Sequence, residues 1–149
     1  MISAQQIKEL REKTGAGVSD VKKALEEAGG DMGKARAVIE RRLGVSATKR
    51  AGRETHAGVV ETYIHANGKI GVLIHLSCET DFVARNPEFR ALAHDIALHI
   101  AAMEPSDIPA LQVQPFIKDL GKTVGDVTNE AIGRFGENIK IERFTRYDI

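Results

Sequence analysis

The chain has 149 residues, enough for one ordinary domain or one domain with a small satellite module. Lys plus Arg and Asp plus Glu are both 21, so the formal net charge is zero, which argues against a general nucleic-acid or membrane binder; 28% charged and 42% hydrophobic residues read as soluble and globular. No apolar run approaches the ~18 residues of a membrane span, the opening MISAQQIKEL lacks the pattern of a signal peptide, and the single cysteine cannot form an internal disulfide, so a reducing cytoplasm is expected.

In chain order, Ser3-Ala4-Gln5-Gln6 is a capping box flanked by Ile2 and Ile7 as a hydrophobic staple. It predicts a helix to about Thr14, broken at Gly15-Ala16-Gly17. A second helix starts near Ser19, carries Val21, Ala24, Leu25 and Ala28 at helical spacing, and stops at Gly29-Gly30. Asp31 caps a third, with Ala35, Val38 and Ile39, ending at Gly44. Residues 1–44 thus form a three-helix module with a marginal core, a size that favours docking over catalysis. Residues 45–57, with Lys49, Arg50 and Arg53 among small polar residues, read as a solvated linker or short exposed helix.

Residues 58–149 are expected to be the main domain. GVVETYIHANGKIGVLIHLSC is rich in strand formers with Asn67-Gly68 at its middle, a hairpin signal for a two-residue type I′ turn. That turn pairs Tyr63 with Val72, Glu61 with Ile74 and Val59 with Leu76, which with Ile70 make one mostly apolar face. The opposite face holds Val60, Ile64 and Leu73 beside Thr62 and His75. Helices are expected on one face and at least partial cover on the other. Asn86-Pro87 then opens a long amphipathic helix through Phe89, Leu92, Ala93, Ile96, Ala97, Ile100 and Met103, ended by Glu104-Pro105. QPFIKD is a candidate strand, Thr123 caps a helix that Gly136 stops, and NIKIERFTRYDI, where Ile139 and Ile141 alternate with Lys140 and Glu142, reads as a last strand. The fold class is α+β, with an antiparallel sheet.

Between strand and long helix lies CETDFVARN, which belongs to neither. Short connectors on rigid scaffolds are where function tends to sit. Cys78 as a nucleophile, with His75 or His94 as base, competes with a buried small hydrophobe, the commoner role. His94 and His99 are five apart, a spacing that does not put two ligands on one helix face, so no metal site is expected. Glu79 and Asp81 suit a solvated turn and a cap better than an acid–base pair. No phosphate loop or dinucleotide fingerprint occurs, and no covalent chemistry is expected.

Three stretches, KELREKTGAGVSDVKKALEEAGGD (8–31), CETDFVARN (78–86) and IGRFGENIKIERF (132–144), resemble in order and spacing the translation elongation factor Ts family over nearly the whole chain. The resemblance makes residues 1–44 similar to a ubiquitin-associated domain. It implies a cytoplasmic guanine-nucleotide exchange factor that binds elongation factor Tu–GDP and needs no cofactor. It also implies that Thr80, Asp81, Phe82 and Val83 enter the partner near its magnesium site, and that Lys8, Arg11, Val18 and Ser19 are partner contacts. The chain is shorter than such proteins between Ile108 and Gln114 and has one copy of the sheet-and-helix core, like the family's short, homodimeric form. A dimer is expected on Val60, Ile64 and Leu73. Two alternatives stand beside this: Phe82 as a core residue between hairpin and helix, and the whole chain as a ubiquitin-associated-like adaptor without exchange activity.

Overall fold

A computed structural model describes all residues, 1–149. Its chain divides into two units, Met1–Ala51 with 129–136, and Gly52–Thr128 with 137–149.

In the first unit, α1 (Ala4–Thr14) begins with the capping box reciprocated: Gln6 N donates to Ser3 Oγ and Ser3 N to Gln6 Oε1. It ends at Gly15, whose φ of 71° places it in the left-handed region that glycine tolerates. α2 (Val18–Glu27) and α3 (Met32–Arg50) follow, the latter capped by Asp31, whose side chain accepts from Lys34 N. Leu10, Val21, Ala24, Leu25, Ala35 and Ile39 bury a small core, with Ile2, Ile7, Val38 and Leu43 packed around it.

The expected break at Gly44 and the linker at 45–57 are corrected here. α3 runs on to Arg50, and the unit extends to Ala51. Gly44 inside a helix costs only about 1 kcal/mol. Ile39, Leu43 and Ala47 recur every four residues and carry the apolar stripe through it, with Ala47 buried. Lys49 and Arg50 suit the negative end of the helix dipole.

In the second unit, β1 (Ala57–Ile64) and β2 (Ile70–Cys78) are antiparallel in the expected register, Tyr63 opposite Val72, Glu61 opposite Ile74 and Val59 opposite Leu76. The turn itself differs. Gly68 N donates to His65 O (2.7 Å), Gly68 has φ 72°, and Asn67 stays at negative φ with its Oδ1 accepting from Lys69 N. With His65 N donating to Ile70 O, the four residues 66–69 close the hairpin instead of a type I′ pair. One residue is lost from each strand, so the register survives.

α5 (Pro87–Met103) covers the face bearing Val72, Ile74 and Leu76 with Phe89, Leu92, Ala93, Ile96, Ala97 and Ile100, all buried. Each large apolar side chain so placed is worth roughly 1.5–3 kcal/mol. α4 (Asp81–Ala84) is one turn between β2 and α5. α6 (Ile108–Val113) occupies the stretch before Gln114. The QPFIKD segment becomes a separate two-stranded hairpin, β3 (Pro115–Phe116) with β4 (Asp119–Thr123). α7 (Val124–Phe135) opens on a reciprocal Thr123–Asp126 pair and ends at Gly136.

The last strand, β5 (Lys140–Asp148), lies within the expected NIKIERFTRYDI stretch. It pairs antiparallel with β2, giving the order β1–β2–β5. The architecture is α+β, a helical region followed by an antiparallel sheet with helices. No helix is long and apolar enough to cross a membrane.

Candidate functional site

The connector after β2 is built by backbone capping. Thr80 is the N-cap of α4, its hydroxyl accepting from Val83 N. The carboxylate of Glu137, just past Gly136, grips the same residues: Oε1 accepts from Glu79 N (3.1 Å) and Thr80 N (3.0 Å), and Oε2 from the Thr80 hydroxyl (2.7 Å). Asn138 Nδ2 donates to Arg53 O, and Arg53 pairs with Glu79 at 3.7 Å, so the neighbouring chain is tied down as well. Glu137 was not singled out from sequence. The only signal was its place directly after a helix-ending glycine in IGRFGEN.

On this turn Val83 and Ala84 are buried, whereas Asp81 is exposed and Phe82 is 84% exposed. A phenylalanine so exposed fills no gap between hairpin and helix, and the core reading of Phe82 is thereby overturned. Turn geometry explains the split. Successive helical side chains point about 100° apart, so anchoring Val83 and Ala84 turns Phe82 outward. Of the four residues the resemblance pointed to, Val83 is the anchor, Thr80 the cap, and Asp81 and Phe82 the exposed pair.

The other chemical readings do not assemble. Cys78 is buried, its Sγ donating to Thr80 O, and burial together with the nearby Glu137 carboxylate pushes the thiol up to about 11. A raised pKa removes thiolate, so alkylation of the folded protein at pH 8 is expected to be about a hundredfold slower than of the urea-unfolded chain, checked by mass spectrometry. His99 is fully buried; its Nδ1 accepts from Ile117 N and its Nε2 faces Gln114 Oε1, and burial lowers its pKa. His94 is exposed and lies against Tyr63. No group of three or more His, Cys, Asp or Glu side chains is placed to hold a metal ion.

In the first unit Lys8, Arg11 and Val18 line one shallow groove of about 540 Å³ with Ala4, Ile7 and Glu12. Lys8 lies 3.9 Å from Glu12. Ser19 is exposed in the first turn of α2 but outside that groove. On the open sheet face, Val60 (66%), Ile64 (62%) and Leu73 (48%) are exposed. Tyr147, opposite Gly71 in the register and 74% exposed, extends that apolar face onto β5.

The sequence profile of the family described as Elongation factor TS matches residues 79–149. Elongation factor Ts of Rubrobacter xylanophilus is 42% identical, over 97% of this chain and 97% of its own. Its counterpart from Thermotoga petrophila is 42% identical, over 99% and 96%. That from Carboxydothermus hydrogenoformans is 41% identical, over 100% and 89%. The first of these alignments runs to 190 residues, longer than this 149-residue chain, so the relative carries residues that have no counterpart here. Identity at this level over nearly the full length shows that the chain belongs to the elongation factor Ts family.

Proposed function

We propose that this chain is a guanine-nucleotide exchange factor acting in the cytoplasm on elongation factor Tu, releasing GDP so that GTP can bind. The observation that carries the reading is Phe82, an exposed aromatic beside an exposed carboxylate on a turn that Glu137 holds rigid. Inserted into an apolar pocket of the partner, the ring separates the elements that line it, and Asp81 competes for the groups that hold the partner's magnesium. Without the metal the nucleotide phosphates are poorly neutralised and GDP leaves faster. Lys8, Arg11, Val18 and Ser19 supply affinity from the helical module. The factor makes no covalent bond and holds no cofactor of its own. A plain ubiquitin-associated-like adaptor leaves the exposed Phe82 without a role.

Exchange by this route requires the factor to bind nucleotide-free elongation factor Tu more tightly than the GDP-loaded form, and linkage makes GDP weaken factor binding by the same ratio. Titrations of the partner with and without GDP, alongside release of labelled GDP, test this. Equal affinities in the two titrations, or no stimulated release, overturn the reading.

The same proposal includes a homodimer through the open sheet face around Val60, Ile64 and Leu73, where apolar side chains on the outer face of a three-stranded sheet lack cover within one chain. Ile64→Asp is expected to weaken self-association by at least about tenfold, because the dimer buries a carboxylate there while the monomer leaves it in water. Sedimentation at micromolar concentration checks it, and a monomeric parent protein removes the idea.

A further inference from the structure

We propose that Arg85 is a further partner-contact residue on the turn bearing Phe82, and that its guanidinium pairs with a carboxylate of the partner that magnesium holds in the loaded state and leaves unneutralised on departing. This role rests on the exchange activity proposed above and adds to it a residue of its own.

The one-turn helix α4 and its C-cap present three side chains to water: Asp81, Phe82 and Arg85 are exposed, while Val83 and Ala84 are buried. The backbone under Arg85 is fixed. Its N–H donates to Asp81 O at 3.0 Å, and Asn86 donates to Val83 O at 2.9 Å while its own side chain caps α5 by accepting from Glu88 N. The Arg85 side chain, in contrast, makes no hydrogen bond or ion pair within its own chain. Asp81 and Arg85 are four apart with the acid first, the arrangement that favours an ion pair on a helix. Elsewhere in this protein such pairs close, Glu9 with Lys13 at 2.6 Å and Arg36 with Glu40 at 2.7 Å. On this turn acid and base stay apart and both remain open to a partner. Arg85 is also three positions from Phe82 and so its neighbour on the turn, which means that a pocket taking the ring brings partner surface up to the guanidinium.

Guanidinium recognises carboxylate and phosphate alike through paired N–H donors. The direction of the reaction chooses between them. A cation seated on the GDP phosphates would hold the nucleotide that the factor has to release. A protein carboxylate behaves in the opposite way. Magnesium in nucleotide sites is held by one or two carboxylates together with the phosphates, so its loss strands a negative charge in the partner. Arg85 placed against that charge stabilises the metal-free state alone, and a contact made in one state alone shifts the partner toward it.

The test measures, by calorimetry, binding of the full chain and its variants to elongation factor Tu in the GDP–magnesium form and in the nucleotide-free, metal-free form, with labelled-GDP release followed on the same samples. Arg85→Gln is expected to weaken binding to the nucleotide-free form about tenfold, through loss of a charge-assisted pair, and to leave binding to the loaded form within about twofold. Stimulated release should slow several-fold, and Arg85→Lys, which keeps the charge without the paired donors, should recover part of the loss. Magnesium competes with the guanidinium for the same carboxylate, so adding it to the nucleotide-free form should weaken the parent chain several-fold more than Arg85→Gln. The melting temperature should not change, because the side chain is exposed and unpaired. A lowered melting temperature gives Arg85 a structural role and overturns the proposal, as does equal weakening of both forms or equal sensitivity to magnesium. A loss confined to the GDP form puts the guanidinium on phosphate and overturns the carboxylate assignment. Stimulated release by the parent that Arg85→Gln matches overturns the role of Arg85 and leaves the exchange activity standing, whereas a parent without stimulated release overturns both.

Discussion

Phe82→Ala is expected to leave the melting temperature unchanged and to slow stimulated GDP release by about tenfold to a hundredfold. The first half follows from exposure: with 84% of the side chain in water, truncation opens no cavity and removes almost no packing. The second half follows from the energy a phenylalanine contributes when a partner buries it, roughly 1.5–3 kcal/mol. In the proposed mechanism the ring acts on the partner's elements as they separate, so the loss is expected to fall on the release rate more than on the affinity of the loaded complex. Thermal denaturation and a labelled-GDP assay on one preparation separate the terms. A melting loss comparable to that of a core truncation, or full exchange activity in a stable variant, sinks the wedge.

Glu137→Ala is the second large effect, and here stability and activity fall together. The carboxylate accepts two backbone N–H bonds and one hydroxyl bond from Glu79 and Thr80. Removing it leaves those donors to water. Bonds to an ionised acceptor are worth the most, but Thr80 is exposed, so the lower end applies, roughly 1.5–3 kcal/mol. For a domain of this size that lowers the melting temperature by about 3–10 °C. Well below that temperature the variant should still release GDP several-fold more slowly, because Phe82 is then carried on a turn that wanders. Glu137→Gln, keeping one acceptor oxygen, should fall between. A normal melting curve with full exchange activity shows that the clamp does not matter.

Local chemistry was the legible part of this fold. The Ser3 box, the Asp31 and Asn86 caps and the stops at Gly15, Gly29 and Gly136 each depend on residues within four positions, and the structure has all of these. The hairpin register was legible even though its turn was not, because shortening each strand by one residue keeps the pairing. The helix past Gly44 was missed because the residue that carries it, Ala47, is small and sits among polar neighbours. What depends on distant parts of the chain was invisible: β5 beside β2, and the Glu137 clamp fifty-seven residues from Thr80. The connector itself stood out by residue type, yet only the surface exposure of Phe82 removes the core reading.

The position of β5 also has a consequence for synthesis. β2 is the middle strand of its sheet, but one of its neighbours is not made until residues 140–148 have been translated. Until then the nascent β2 presents a long unpaired edge, with Val72, Ile74 and Leu76 on its apolar side, which is a template for wrong pairing. Glu137 arrives just before that strand, so the turn bearing Phe82 is also fastened late. A ribosome that stalls short of residue 137 thus holds a chain whose hairpin and long helix are already made, while the turn bearing Phe82 is still loose. Such chains should be the ones that chaperones and proteases intercept, until residues 137–148 complete the sheet and fasten the turn.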